Sequence, residues 1–469
     1  MLTETLAPAL GIGRDDVVAL LSRTIDLSRP EGADAAPTFD EVLADFQQLA
    51  LAEGTSVVIA LSNGAHLLKQ YFAVLLSGCV PVTVSPSTSS ARITALAEHL
   101  RAGALIAARI DPNRYGASTV HRVGAQQAVR LSMGGPEGAY RAGEVLMLTS
   151  GTSGMFSACL HRVDSLLRNA RRHSKAVGIG ADDRLLISLP LYYSYAIVAQ
   201  AMAALVTGAG LVISGPPFNP AAYRASIERY GITSSSITPT IARQLLEIGE
   251  VLPAPLRSLA VGGDRITPEH VSGLLELNPG GGLYLTYGLT EAGPRVATLA
   301  AHHEPVHRHA SVGLPMDDVT VSLRNTDADG VGELVVATDT ALLRKVGPSA
   351  RQPLLGPGSV ATGDLFKRDE DGYLYYQGRL SDFVIVRGEK VSLYSIRQAA
   401  QTIPGVARCV PRVGQDDDGE NCIDLEIHAS EPVLVTEVMV QDALRPLLMR
   451  SERPRQITVV PLVATAQHK

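Results

Sequence analysis

Cysteine is scarce in this chain and carries no pattern. Cys79, Cys159, Cys409 and Cys422 are scattered over 469 residues, with none of the short intervals that hold a metal. This excludes a disulfide framework or a zinc module and leaves buried free thiols in a reducing cytosol. Long hydrophobic runs are lacking as well: none reaches the roughly 18 residues of a membrane span, so no membrane insertion is expected. The opening MLTETLAPALGIGRDD has no basic stretch followed by an apolar core. It does not read as a signal peptide, and a cytoplasmic location is expected. An excess of charge is missing too. The formal net charge is −6, with no dense Lys/Arg stripe, which argues against a nucleic-acid partner. Short-period repeats and low-complexity tracts are absent.

What is present describes a globular enzyme-sized chain. Hydrophobic residues make up 46% and charged residues 19%, and the length calls for two or more domains. The first part alternates strand and helix: SVVIAL from Ser56, HLLKQYFAVLLSG from His66, VPVTVSP from Val80, a helix from Ala91 and a strand from Ala104. A second run repeats the order between Arg184 and Thr238. These patterns predict an α/β protein whose large N-terminal domain holds two wound βαβ sheets. From about Ala310 the period becomes that of hairpins, turning at Asp327 to Gly330 and again at Asp371-Gly372, which predicts a small β-barrel layer. After Arg379 a compact α+β unit follows. The expected division is 1–380 for the large domain and 381–469 for a small mobile one.

The stretch Thr149-Ser150-Gly151-Thr152-Ser153-Gly154 lies between the apolar EVLMLT and CLHRVDSLLRNARRH, in which Leu160, Val163, Leu166, Leu167 and Ala170 share one helical face. Strand, glycine-rich loop and helix together form a phosphate-holding arrangement, because bare backbone N–H groups and small hydroxyls can point inward. A flexible turn has the same composition. Such loops usually carry a lysine a few residues on, and Ser157 holds that place here. His161 or Arg162 could supply the charge, or form a solvent-facing helix turn. Further along come LTYGLTEAG (Leu285 to Gly293), ATGDLF (Ala361 to Phe366) and GRLSDFVIVRGEKVSLYSIR (Gly378 to Arg397).

Taken in this order, these segments resemble the adenylate-forming superfamily: acyl-CoA and aryl-CoA synthetases, peptide-synthetase adenylation domains and luciferases. Its motifs read roughly T-S-G-T-[ST]-G-x-P-K-G, Y-G-x-T-E, T-G-D and G-R-x-[DK]-D. LLSGCVPVTVSPSTSSARI and LRSLAVGGDRIT resemble two more of its segments, so the likeness runs from about Ser56 to the end. The resemblance implies an enzyme that uses ATP and Mg²⁺ to turn a carboxylic acid into an acyl-adenylate, then passes the acyl group to a thiol. That thiol would be CoA or belong to a separate acyl carrier protein.

Roles carry over residue by residue. Thr149, Ser150, Gly151, Thr152, Ser153 and Gly154 would close over the β- and γ-phosphates. Tyr287 would stack on adenine beside Gly288, Thr290 would bond the α-phosphate, and Glu291 would hold Mg²⁺. Asp364 and Arg379 would serve the ribose hydroxyls. Gly262 and Gly263, next to Asp264, would let backbone approach the adenine and the acyl pocket. Ser381 would be the hinge. Lys469 would be the family's terminal catalytic lysine when Thr465 is aligned with the family threonine; aligned on Pro461, the place falls to Gln467. The chain departs from the family at Phe156-Ser157-Ala158, at Val384-Ile385 and at Ser395 and Arg397.

The acyl pocket is partly legible in LPLYYSYAI. No acid occurs between Asp183 and Glu228, so the partner of an α-amino group is missing and an amino-acid substrate is not expected. Tyr192, Tyr193 and Tyr195 suggest an aromatic-lined pocket for an aryl or arylalkenoic acid, or core tyrosines with satisfied hydroxyls. The divergent loop suits an enzyme of bacterial secondary metabolism. Two other readings stay open: adenylation of an unusual acid such as nitrite with transfer to an aryl amine, and a non-catalytic nucleotide-binding relative.

Overall fold

A computed structural model describes residues 11–28, 35–131, 139–149, 157–347, 352–386, 389–415, 421–429 and 435–462. Ser150, Gly151, Thr152, Ser153, Gly154 and Lys469 lie outside the described residues. The chain packs as two compact units. One comprises Met1–Ser322, Val335–Thr362 and Arg368–Tyr375; the other comprises Leu323–Leu334, Gly363–Lys367 and Tyr376–Lys469.

Among the described residues the first unit holds two eight-stranded sheets, one largely parallel and one mixed, with a parallel centre and antiparallel edges. In one, Ser56–Ala60 is central, with Val80–Val84 and Ala102–Ala107 parallel on either side. Its five residues are all buried, because the two faces enter different cores. Val57 and Ile59 join one apolar cluster, Val58 and Ala60 another. That is the period-2 geometry of a strand covered on both sides. Toward one edge of this sheet β1 (Glu144–Thr149) continues the parallel order, and then β2 (Ser157–Arg162) and, outermost, a three-residue strand at Arg344–Val346 pair antiparallel.

Here the expected strand–loop–helix is corrected. The segment after the loop is a strand, pairing Thr149 with Ser157 and Glu144 with Arg162, and helix α1 (Val163–Val177) begins only after it. The strands that flank the glycine-rich stretch are therefore paired antiparallel. Cys159, Leu160 and His161 are all buried, since β2 is covered on both faces. Without an alternating polar side, its apolar residues ran on into the helical spacing of α1.

The other sheet of the first unit runs parallel from Thr24–Asp26 through Ser258–Gly262 to β3 (Gly282–Gly288), then turns antiparallel into β4 (Arg295–Ala300). Helix α1 and helix Ala65–Leu76 share one core with both sheets, joining Val57 and Ile59 to Leu185 and Ile187. The Arg344–Val346 strand is β5. Both expected hairpins form strands, Val319–Arg324 with Gly332–Thr338 and Ser359–Arg368 with Leu374–Arg379, within a five-stranded sheet. In the second unit, helix Leu393–Gln401 and helix Glu437–Leu444 pack their apolar residues with strands Val406–Gln415, Asn421–Ala429 and Gln456–Pro461. All four cysteines are free and buried.

Candidate functional site

Strand geometry assembles a polar surface at this strand pair. Side chains two apart on a strand share a face, and so do directly paired residues. Ser157, Cys159 and His161 alternate along β2; Thr149 pairs with Ser157 and Lys345 with Cys159. The Thr149 hydroxyl lies 2.9 Å from the Ser157 hydroxyl. Lys345 Nζ donates to Thr149 Oγ1 at 3.1 Å and meets Glu291 Oε1 at 2.6 Å, with the lysine side chain only 7% exposed. A cation thus stands at the root of the loop, delivered from a strand almost 200 residues further along the chain by the pairing of β5 with β2.

Thr290 and Glu291 sit in a 3-10 turn, Thr290–Ala292, that follows β3. The turn is tied down on several sides. Leu342 N donates to Glu291 O at 2.9 Å, and Thr340 Oγ1 to Ala292 O at 2.9 Å. His161 Nε2 lies 2.9 Å from Thr290 O, and Ser194 Oγ lies 3.0 Å from Thr290 Oγ1. Burial pushes His161 down to about 4, so it is neutral at pH 7 and its Nε2 must carry the hydrogen in that contact. His161 therefore does not supply the missing charge. Arg162 does not either: it is exposed and paired with Asp164 at 3.0 Å. Burial first, and then the charge of Glu291, holds the Cys159 thiol well above its ordinary value, so it stays uncharged beside Lys345.

A second cluster surrounds Gly262 at the end of its strand. A β-carbon there would stand 2.4 Å from Thr286 Oγ1 and 3.1 Å from Arg295 Nη1, so only glycine fits. Gly288 is equally constrained: a β-carbon would come within 1.8 Å of Pro294 O. Between Tyr287 and Gly288 the pairing slips, so that Tyr287 opposes Ala297 while Gly288 opposes Arg295. Such a bulge re-aims a side chain, here Arg295, which is 4% exposed. Its Nη1 donates to Thr286 Oγ1 at 3.0 Å, and its guanidinium lies 4.0 Å from the centre of the Tyr195 ring. Asn169 on α1 fixes the backbone of Arg295 from both sides, accepting from its N at 2.9 Å and donating to its O at 2.8 Å. Tyr195 is buried; Tyr193 is exposed, its ring 4.8 Å from that of Tyr192. Gly263 and Asp264 are exposed at the start of the following loop, and Tyr287 is half-buried on β3.

In the second unit Arg379 Nε donates to Asp364 Oδ1 at 3.1 Å. Asp364 is buried while its partner is largely exposed. Ser381 occupies a 3-10 turn, Leu380–Asp382. The structure thus brings Thr149, Thr290 and Glu291 together, sets Tyr195 and Gly262 beside Arg295, and pairs Asp364 with Arg379. Three residues escaped the sequence reading. Lys345 lies in LLRKV, a strand too short to show a period. Ser194 gave no signal. Arg295 follows the Y-G-x-T-E-like motif by four residues, and its buried position was not legible. Among the described residues no group of three or more His, Cys, Asp or Glu could hold a metal ion. Glu291 alone fits a Mg²⁺ that brings most of its oxygen ligands as phosphate and water. No described helix is long and apolar enough to cross a membrane.

The chain is 32% identical to sulfoacetate–CoA ligase of Cupriavidus necator over 56% of its own length and 52% of that protein, so it spans about half of this relative. It is 24% identical to salicyl-AMP ligase / salicyl-S-ArCP synthetase of Mycobacterium tuberculosis over 91% of this chain and 81% of that one. Its fold matches o-succinylbenzoate coenzyme A synthetase of Bacillus subtilis, solved with ATP and magnesium, at a TM-score of 0.76 and 20% identity, over 90% of this chain and 89% of the other. The family model described as AMP-binding enzyme matches residues 41–343, and the chain belongs to that family, within the adenylate-forming superfamily.

Proposed function

We propose that this chain activates a carboxylic acid with ATP and hands the acyl group to a thiol. A carboxylate oxygen attacks the α-phosphorus, and pyrophosphate leaves with the electron pair of the broken P–O bond. The sulfur of the thiol, having lost its proton, then bonds to the acyl carbon, and AMP leaves. The observation that carries this reading is the convergence of Thr149, Ser194, Thr290, Glu291 and Lys345 at the root of the glycine-rich stretch. Hydroxyl donors, one buried cation and one carboxylate in a fixed frame suit positioning and charge neutralisation, the main demands of phosphoryl chemistry.

In this reading Lys345 takes over the charge that Ser157 cannot provide. Mg²⁺, when bound, neutralises phosphate charge, and Glu291 is the carboxylate available to hold it. Tyr287 and Gly288 serve the adenine, and Asp364 and Arg379 the ribose hydroxyls. The relatives' names support CoA or a carrier-protein thiol as acceptor. The finer assignment, an aryl acid, rests on Tyr192 and Tyr193, because one face of Tyr195 is covered by Arg295.

The test is acid-dependent exchange of labelled pyrophosphate into ATP, followed by thioester formation with CoA. Exchange that requires both acid and Mg²⁺ supports the assignment. No exchange with any aryl, aliphatic or sulfonated acid would overturn it.

A further inference from the structure

We infer that Arg295 binds a second anionic group of the substrate, so that the acid activated here carries a further carboxylate or sulfonate besides the carboxylate that is adenylated. This rests on the adenylation reading and gives the substrate class for it.

The argument begins with an imbalance of charge. Arginine stays protonated in proteins and presents five N–H donors. Arg295 is 4% exposed. Thr286 Oγ1 accepts from Nη1, the Tyr195 ring covers one face, and buried Nε has no acceptor. Among the described residues no carboxylate pairs with it. Arg172 on the same helix as Asn169 makes the contrast: its side chain is also mostly buried, but it meets both Asp318 and Asp339. Burying a bare cation carries a desolvation cost that a cation–π contact offsets only in part. A fold that nevertheless clamps both backbone groups of Arg295 through Asn169 holds the guanidinium ready for an anion that is not part of the chain.

Its neighbours identify whose anion that is. Gly262 is kept bare directly beside Nη1. Tyr195 lies under the guanidinium, and its hydroxyl is 3.4 Å from the same Thr286 Oγ1. Gly262 and Tyr195 are the positions at which the acyl group is expected. The stretch from Arg184 to Ile227, which includes Tyr195, contains no acidic residue. His173, fully buried with no partner on either ring nitrogen, adds no negative charge. Among the described residues the guanidinium thus has no internal counter-ion. A monoanionic acid would leave Arg295 unpaired once its carboxylate had been given to ATP; a doubly anionic acid would not. A carboxylate and a sulfonate both accept the two parallel N–H bonds of a guanidinium.

Matched acids test this. Pyrophosphate exchange is measured with malonate, succinate, sulfoacetate and 2-carboxybenzoate, each against its monoanionic counterpart (the monomethyl ester, or butyrate and benzoate). Thermal stabilisation by the same acids is recorded in parallel. Each doubly anionic acid that is used should exceed its counterpart by about 100-fold in kcat/KM, the discrimination expected when a buried charged group is left unpaired. Arg295→Gln should abolish that preference, lowering exchange with the doubly anionic acid far more than with the monoanionic one, and Arg295→Lys should restore part of it. The malonate and sulfoacetate arms separate carboxylate from sulfonate. Equal or better use of the monoanionic counterparts by the parent, or an unchanged preference in Arg295→Gln, overturns the inference and leaves adenylation standing. Failure of every acid overturns both. If neither variant folds, the preference of the parent and its thermal stabilisation by doubly anionic acids alone decide.

Discussion

Lys345 Nζ and Glu291 Oε1 form an ion pair at 2.6 Å, the two side chains being 7% and 19% exposed. The pair joins the outermost strand of one sheet to the turn between β3 and β4 of the other. It places a cation within reach of the Thr149 hydroxyl, at the point where the loop leaves its strand. If Lys345 supplies the loop's charge, Lys345→Met should weaken pyrophosphate binding in calorimetry. It should also lower acid-dependent exchange by about 10²-fold or more, the cost of removing one preorganised donor. Lys345→Arg should keep much of both. Parent-like exchange in Lys345→Met would place the compensating charge elsewhere.

The same pair predicts a stability signature that needs no substrate. Glu291→Gln leaves Lys345 charged and largely buried without its carboxylate. Breaking a buried pair in this way costs about 3 kcal/mol. Removing both charges in Glu291→Gln/Lys345→Met should recover part of the loss, with a coupling of about 1–3 kcal/mol. Denaturant midpoints of the parent, the two single variants and the double variant measure it. Strict additivity would mean that the contact contributes nothing in solution.

Acid should weaken the fold through two histidines. Burial lowers His161 to about 4 and His173 to about 3, from 6.5. Both are neutral in the folded chain, whereas the unfolded chain takes up their protons below about 6.5. Stability is therefore full above that pH and falls as the pH drops toward 4 and then 3, by on the order of 3 kcal/mol or more for each group. Thermal midpoints between pH 4 and pH 8 should show the decline. His161→Gln, whose amide can still donate to Thr290 O, should flatten it. An unchanged slope in that variant would assign the acid limb to other groups.

Much of the architecture was legible because local pattern and tertiary environment agree there. Ser56–Ala60 reads as a fully buried strand and is one. The β-turns near Asp327 and Asp371 carry their own chemistry in Asp and Gly, so the hairpins were visible. Legibility failed where pairing alone decides. Cys159 to Arg162 lacks alternation, and only its pairing with neighbouring strands makes it a strand. Arg344–Val346 has two adjacent basic residues and three residues in all; pairing with β2 creates the strand and buries Lys345 at once. The motifs named Thr290 and Glu291. They could not name the residues brought to them from other strands and helices, because Lys345, Ser194 and Asn169 are near the site in space and far from it in sequence.

Asp364 offers a test of the nucleotide assignment that is independent of the acid. Its carboxylate is buried and accepts from Arg379 Nε at 3.1 Å. A carboxylate can accept from several donors at once. Under the proposed reading these include the ribose hydroxyls. Asp364→Ala removes both acceptors and leaves Arg379, largely exposed, to water, so the fold should lose little. ATP affinity should fall by about 2 kcal/mol, close to 30-fold in Kd, as for a hydrogen bond to a charged group. Asp364→Asn should fall less, because the amide oxygen still accepts. Calorimetry with ATP and Mg²⁺ measures both. Unchanged affinity in Asp364→Ala would remove this residue from the nucleotide site while leaving the roles of Lys345 and Glu291 to be judged on their own variants.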